Sequence, residues 1–377
     1  MIVKSLILEN FRNHKDTKID FSDSFNIIYG NNGQGKTNIL EAIYLCATGR
    51  SHRTSKDTEL VRFGSDYYNI NTHVYNNGLE RNINMKYLNN QKKQIQINEI
   101  PIKKLGLLMG NLYAVLFAPE DLSIIKQGPG ERRRFVDITL SQIKPTYFYN
   151  LQLLAKILKH RNMLLKNLYS KTGLIDTIDI WNNKLAEVSA NIILERKKFA
   201  TVLSEIAQKQ HKFITNDREI ITFNYDCNFN YQDSEKKNEI IEIYTKQLEK
   251  SINRDISVGY TSIGPHRDDY DILINNNSLK LYGSQGQQRS SVLSIKIAEI
   301  ELINKETGKY PILLLDDVMS ELDENRQKYL MDSIRSVQTF ITCTNYMHFK
   351  NLLETSARYY EIENGFVLNS FENERLH

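Results

Sequence analysis

The stretch GNNGQGKT, residues 30–37, constrains this chain more than any other. It fits the pattern G-x-x-x-x-G-K-[ST] at every position. The apolar run FNIIY (25–29) precedes it, and Ile39, Leu40, Ile43 and Tyr44 follow at helical spacing. Strand, glycine-rich turn and helix in that order predict a phosphate-binding loop. Glycines let backbone N–H groups close around an anion, and the helix N-terminus adds a favourable dipole. Gly30, Asn31, Asn32, Gly33, Gln34 and Gly35 then cradle the phosphates of a nucleotide. Lys36 reaches the β- and γ-phosphates, and the Thr37 hydroxyl ligates Mg²⁺. A plain glycine-rich turn is the rival reading, and the flanking pattern disfavours it.

Such a loop needs an acid at the end of a nearby strand. PILLLDD, residues 311–317, is a short apolar run ending in acids, which suits a buried parallel strand. Asp316 is the expected metal-side acid, and Asp317 is placed to orient or deprotonate the attacking water. Asp316 stands 280 positions after Lys36, whereas compact P-loop domains keep the two motifs much closer. A whole domain is therefore expected between them, and 377 residues leave room for two or three.

The hydrophobic period agrees. Residues 1–125 read mostly as strand, with a polar-alternating meander from Tyr67 to Ile102 and a hairpin signal at Asn77-Gly78. Between 126 and 255 the period becomes helical: Leu151, Leu154, Leu158 and Leu165 mark one helix. Trp181, Leu185, Val188, Ile192, Phe199, Val202 and Ile206 mark a second of about 38 residues from Ile178, with a break at Thr172-Gly173. From 256 to 377 strands return, with DILI and LKLY flanking Asn275–Asn277, then PILLLDD and TFITCT. The expectation is an α/β fold in which 1–125 and 256–377 build one lobe around an inserted helical lobe at 126–255.

One helix entry is unusual. YGSQGQQRS, 282–290, holds glycines, serines, glutamines and an arginine, with no acid and no apolar residue after Tyr282. A helix N-terminus of small polar residues is an anion site; capping of the helix by Ser284 is the alternative. Taken in order, NFRNH (10–14), GNNGQGKT, the helical insert, SQGQQR (284–289) and LLLDDVMSELD (313–323) resemble the SMC-like branch of the ABC ATPases. FAPEDL (117–122), GPGERRRFVD (128–137) and GPHRDD (264–269) are similar to blocks of its RecF family. The resemblance covers essentially the entire chain.

That resemblance implies an ABC-type, SMC-like ATPase head with an N-terminal β-meander and an inserted helical lobe. It makes SQGQQ the signature motif, so that Ser284, Gly286 and Gln287 face the γ-phosphate of an ATP held by a second copy. It places Arg12 and Asn13 at a first-strand turn that touches nucleotide, and Ser320 to Asp323 in a segment that crosses to the opposite subunit. Transporters of the wider ABC class carry Glu after the strand aspartate and a histidine after the next strand; this chain has Asp317, and Thr342 and Thr344. Those departures imply slow hydrolysis, used as a timer. The resemblance further implies an ATP-dependent homodimer on single-stranded and gapped duplex DNA. Implied with it are the partners RecR and RecO, an indirect link to RecA, and roles in replication-linked repair and SOS induction.

Charge placement offers two candidate DNA faces. Residues 138–175 hold no acid but six cations, Lys144, Lys156, Lys159, Arg161, Lys166 and Lys171, interleaved with Tyr147, Phe148, Tyr149 and Tyr169. GRSHRTSK (49–56) is a second basic loop with Arg53 and Lys56, and ERRR stands at 131–134. A solvated helix face is the ordinary meaning of such runs. The resemblance turns Arg53, Lys56, Lys156, Lys159, Arg161 and Lys166 towards phosphate backbone, gripped without reading sequence. A net charge of +4 permits that partner without requiring it.

Three scattered cysteines, Cys46, Cys227 and Cys343, argue against a disulfide framework or zinc cluster and fit a reducing cytosol. The N-terminus carries Lys4 and Glu9 within its apolar stretch and reads as a strand, not a signal peptide. No run approaches the roughly 20 apolar residues that span a bilayer. The expectation is a cytoplasmic protein. A transporter's nucleotide-binding subunit predicts a Glu after Asp316 and a switch histidine, and neither is present. A scaffold that binds ATP without turnover remains open through Asp317.

Overall fold

A computed structural model describes residues 1–76, 78–168, 177–231, 236–347, 349, 353 and 356–373. The chain divides into two compact units, Met1–Leu122 with Val292–His377, and Ser123–Ser291.

The N-terminal part of the first unit contains β1 (Ile2–Phe11), β2 (His14–Asp20), β3 (Phe25–Tyr29), α1 (Lys36–Thr48), β4 (Tyr67–Asn76) and β5 (Leu79–Leu88). It continues through β6 (Gln94–Ile97), β7 (Ile100–Pro101) and β8 (Ala114–Phe117). An antiparallel sheet runs in the order β2-β1-β4-β5-β6-β7. Along β4 the side chains of Tyr68, Ile70, Thr72 and Val74 are buried in alternation with more exposed neighbours, the period of two that a one-sided sheet requires. The β4–β5 hairpin pairs Asn76 with Leu79, and Gly78 has φ +82°. Asn77 itself lies outside the described residues.

The second unit holds α2 (Ser123–Lys126), α3 (Pro129–Ile143), α4 (Pro145–Leu168), α5 (Ile178–Thr215), β9 (Ile221–Asp226) and α6 (Lys237–Val258). After these come β10 (Asp269–Ile274), β11 (Asn277–Ser278), α7 (Leu279–Tyr282) and the start of α8 (Gln285–Thr307). Helix α5 is 38 residues long, as its periodicity predicts, and packs against α4. The break at Thr172-Gly173 lies outside the described residues.

Two expectations change here. The expected boundary at 255/256 moves to 291/292, because β10 pairs antiparallel with β9 from Asp269↔Asp226 to Ile274↔Ile221. Residues 256–291 thus belong with the insert, which carries a three-stranded sheet besides its helices. LKLY, read as a strand, is the helical turn α7. Asn275 and Asn276 are both left-handed, at φ 48° and 64°, so the hairpin closes at once and pairs only Asn277 and Ser278 with β10.

The chain returns to the first unit within α8 and adds β12 (Ile312–Asp316), α9 (Glu324–Ser333), β13 (Thr339–Cys343), β14 (Ala357–Glu363) and β15 (Phe366–Asn373). These strands join β3 and β8 in the order β15-β14-β3-β13-β12-β8, parallel except for β15. Strands β3, β12 and β13 are buried at every position, as inner parallel strands are. The two ends of the chain therefore build one sheet. Its carboxyl edge carries the glycine loop after β3 and the acid pair at the end of β12, with β13 between them, where open α/β sheets place ligands. Among the described residues no helix is long and apolar enough to cross a membrane.

Candidate nucleotide-binding site

Gly30, Gly33 and Gly35 hold φ of +147°, +80° and +111°, a backbone that other residues rarely adopt. A Cβ at Gly30 would meet the Ile362 carbonyl oxygen at 2.3 Å, and one at Gly35 would meet Asn13 at 2.6 Å. The loop opens into α1, which no side chain caps, the arrangement that leaves helix-end N–H groups to an anion. Lys36 Nζ donates to the Gly30 carbonyl at 2.7 Å and the Asn31 carbonyl at 2.9 Å. An ammonium has three N–H groups, so one stays available to phosphate. Burial lowers the Lys36 pKa, and the nearby Asp317, Cys343 and Asp316 pull it back up.

At the end of β12, Asp316 Oδ1 accepts from Thr37 Oγ1 at 2.8 Å and from Thr342 Oγ1 at 2.7 Å. Two adjacent ligand oxygens of octahedral Mg²⁺, with bonds of about 2.0–2.1 Å, stand about 2.9 Å apart. Thr37 and Asp316 therefore fit two neighbouring positions on such an ion, both hard oxygen donors. Thr342 sits opposite Asp316 in the parallel ladder and also accepts the Asp317 N–H at 3.0 Å. Thr342, inside β13, thus fixes both acids. Asp317 is exposed with a left-handed φ of 53°. Partial desolvation and then the Asp316 charge raise its pKa, against the pull of Lys36. That shift makes its carboxylate a better proton acceptor.

The loop is braced at Gln34. Its carbonyl accepts from Asn13 Nδ2 at 2.9 Å and from the Gly365 N–H at 3.0 Å, and its side-chain oxygen accepts the Asn364 N–H at 2.6 Å. His14 Nε2 lies 3.1 Å from the Gly35 carbonyl, and Thr17 Oγ1 donates to the Gly365 carbonyl at 2.7 Å. Asn13 thus meets the loop backbone and Asn38, which donates to it at 2.8 Å. Arg12 is forked on the buried Glu41 of α1 at 2.9 and 2.7 Å, and Ser51 donates to the same carboxylate. Burial alone would raise the Glu41 pKa, but the hydrogen bonds from Arg12 and Ser51 hold it below its ordinary value. The brace from Asn364 and Gly365 carries no sequence signal, because it comes from a hairpin turn remote in the chain. His14 lies within NFRNH next to Arg12 and Asn13, and its contact with the Gly35 carbonyl has no signal in the sequence beyond that proximity.

At the α8 entry, Ser284 Oγ accepts the Gln287 N–H at 3.2 Å while Gln287 Oε1 accepts the Ser284 N–H at 2.8 Å. This is a reciprocal capping box, so the capping reading of Ser284 holds. Ser284, Gln285 and Gly286 are nonetheless exposed, and the Gln287 amide donates to Glu219 at 2.9 Å. Ser320 Oγ donates to the Asp317 carbonyl, and Asp323 caps α9.

One candidate DNA contact is corrected. Arg161 is fully buried, donating to Asp255 at 2.7 Å, Thr261 at 2.8 Å and Asn182 at 2.9 Å. A guanidinium desolvated against a buried carboxylate cannot also grip DNA. Tyr147, in the same stretch, is buried and donates to Asp137, and Lys144 pairs with Glu195. Lys156, Lys159 and Lys166 are exposed on α4; Tyr169 and Lys171 lie outside the described residues. In the other loop, Arg53 donates to Asn38 at 3.0 Å, and the exposed Lys56 stands 3.5 Å from Glu59. Within ERRR, Arg132 is forked on Asp269 at 2.7 and 2.9 Å and Arg133 donates to the Asp268 carbonyl, while Arg134 is exposed. Asp137 and Asp268, from GPGERRRFVD and GPHRDD, share the buried Arg196.

A glycine loop with its lysine and threonine, and an acid strand delivering Asp316 to that threonine on a mostly parallel sheet, define a P-loop ATPase head. Comparison with known proteins agrees. Residues 2–367 match the family described as RecF/RecN/SMC N terminal domain, and the chain belongs to that family. It is 65% identical to the DNA replication and repair protein RecF of Ruminiclostridium cellulolyticum over 368 residues, 97% of this chain and 99% of the relative. A solved structure of the recombination mediator protein RecF with ATP, in the RecFOR pathway, superposes with a TM-score of 0.92 at 37% identity. That match covers 98% of this chain and 97% of the other. An Smc head bound to the C-terminal winged-helix domain of ScpA shares the fold, with a TM-score of 0.56 at 14% identity over 99% and 98% of the two chains.

Proposed function

We propose that this chain is an ATP-controlled DNA clamp of recombinational repair: two copies close on ATP, hold single-stranded or gapped duplex DNA, and open on slow hydrolysis. The observation that carries the reading is the approach of Thr37 Oγ1 to Asp316 at 2.8 Å beside the braced glycine loop. Lys36 holds the terminal phosphates, and Asn13 and His14 keep the loop in register from behind. Thr37 and Asp316 would hold Mg²⁺, which when bound would supply neutralisation of phosphate charge. Asp317 orients the attacking water and takes its proton. The exposed Ser284 and Gly286 complete the site of the opposite copy, their helix end facing its γ-phosphate. Arg53, Lys56, Lys156, Lys159 and Lys166 supply the remaining candidate contacts to DNA phosphates.

The chain's similarity to RecF proteins, one described within the RecFOR pathway, supports RecR and RecO as partners and recombinase loading as the outcome. Its three free cysteines suit a reducing cytoplasm. Asp317 in place of Glu favours a second reading, a scaffold that binds ATP with no significant turnover. The particle mass with ATP, with ADP and with ATP plus gapped duplex, taken alongside phosphate release, tests both. The clamp predicts two copies per particle with ATP, the duplex added to them when it is present, one copy with ADP, and release stimulated by DNA; ATP-dependent doubling without release selects the scaffold. A monomer under all three conditions overturns the clamp.

A further inference from the structure

The turn Arg62–Ser65 in the first unit presents Phe63 fully exposed to solvent. A single apolar side chain on a surface is ordinary. The backbone turn that carries this one is pinned, and its neighbours are unusual. The Ser65 N–H closes the turn on the Arg62 carbonyl at 3.0 Å, and Gly64 supplies a φ of +80° at its third residue. The turn is pinned to β1 by the Arg62 N–H on the Asn10 carbonyl at 2.8 Å and by Ser65 Oγ on Asn10 Oδ1 at 3.2 Å. A bridge from Val61 to Phe11 adds a third tie.

Beside the ring lies an open cleft of about 430 Å³, lined by Thr58, Arg62, Phe63, Ser65, Asn89 and Asn90 among others. Its far wall is fixed where the Asn89 N–H donates to the Asp66 carbonyl at 2.8 Å. Among the described residues, the Arg62 guanidinium, the amides of Asn89 and Asn90, and the Phe63 ring have no protein partner. An aromatic face, two amides and a guanidinium meeting at one cleft are the chemistry of nucleobase capture. The ring stacks on a base, the amides meet its polar edge, and the arginine takes an adjacent phosphate.

We propose that this cleft binds an unpaired base of a single-stranded DNA segment, with Phe63 as the stacking platform. The inference rests on the DNA-binding reading above and deepens it, since a paired base inside a duplex cannot reach the ring. It gives the protein a means to prefer gapped over continuous duplex. Stacking on Phe63 tolerates any base, as every base has a π-face.

Fluorescence anisotropy with a gapped duplex and a fully paired duplex of equal length, in Mg-ATP at fixed salt, tests it. Phe63→Ala should weaken binding to the gapped DNA by roughly 10-fold and leave the paired duplex unchanged. Its salt slope should stay that of the parent, because no charge is removed. Phe63→Trp should restore the preference, and Arg62→Ala should flatten the slope on single strands by about 0.7. An exposed ring contributes little to the core, so Phe63→Ala should melt with the parent. If the parent binds both DNAs and Phe63→Ala binds both as well as the parent, the cleft assignment is overturned alone, and the turn passes to a protein partner. Equal loss on both DNAs overturns it too. A parent that binds neither DNA overturns the DNA-binding reading and this inference together.

Discussion

The glycine loop at 30–37 and the acid-free stretch at 138–175 both read from sequence as places for phosphate, and the folded chain treats them differently. The loop is a backbone device: three positive-φ glycines, a lysine folded over its carbonyls, and a threonine on Asp316. The basic stretch is a side-chain inventory, and folding spends part of it inside the protein. Arg161 goes to Asp255, 94 residues later, and Tyr147 and Lys144 go to Asp137 and Glu195. A motif that dictates backbone geometry carries its own environment with it. A run of charge does not, because the acids that neutralise it arrive from elsewhere in the chain.

The strongest way to sharpen that contrast is to disable the loop's chemistry while keeping its geometry. Asp317→Asn should bind ATP like the parent but turn over roughly 10²–10⁴-fold more slowly, the usual contribution of a positioned base. In the parent, the acid limb of turnover should lie higher than an ordinary aspartate would put it, because burial and the Asp316 charge raise the Asp317 pKa and its base form is lost as pH falls through it. Single-turnover phosphate release against pH measures both. Parental turnover in Asp317→Asn would show that another group prepares the water.

Next in size, Arg161→Ala should act on stability. It leaves the fully buried Asp255 without its guanidinium, a loss of about 3–5 kcal/mol for a broken buried pair. Denaturant melts read this. A variant as stable as the parent, with a flatter salt slope for DNA, would return Arg161 to the DNA surface and erase the contrast.

The smallest effect belongs to the cations that remain outside. If Lys156 and Lys159 each meet a phosphate, neutralising both should flatten the log–log salt dependence of duplex binding by about 1.8. Affinity measured from low to moderate salt checks it. An unchanged slope makes α4 a solvated face and leaves the loop at 49–56 and the cleft beside Phe63 as the places to look.

Legibility followed the same division. The P-loop, the acid strand, the 38-residue helix and the joining of both chain ends into one sheet all rest on local period or spacing, and the fold has each of them. What the sequence hid depends on contacts between distant residues. The brace of Gln34 by Asn364 and Gly365 joins residues about 330 apart, and the pairing of β10 with β9 drew 256–291 into the insert. LKLY misled because its alternation suits a strand, while two left-handed asparagines had already ended the hairpin. Arg12 and Asn13 lie beside the loop, yet they bond the Glu41 carboxylate and the Gln34 carbonyl, which makes them positioning groups first.

The central claim is that each nucleotide site is completed by the α8 entry of a second copy, and mixing two inactive variants tests it most directly. Lys36→Ala should lack nucleotide binding, and Ser284→Arg should bind ATP but block the shared face. In a mixed dimer one site inherits both defects, while the other joins an intact glycine loop to an intact Ser284. Half of randomly assorted dimers are mixed, with one good site of two, so about a quarter of parental phosphate release should return if the sites act independently. ATP-dependent association of the two differently tagged variants should accompany it. Ser284→Arg that dimerises and hydrolyses like the parent by itself would contradict the account, and the capping box at Ser284 and Gln287 would then be the whole role of that turn.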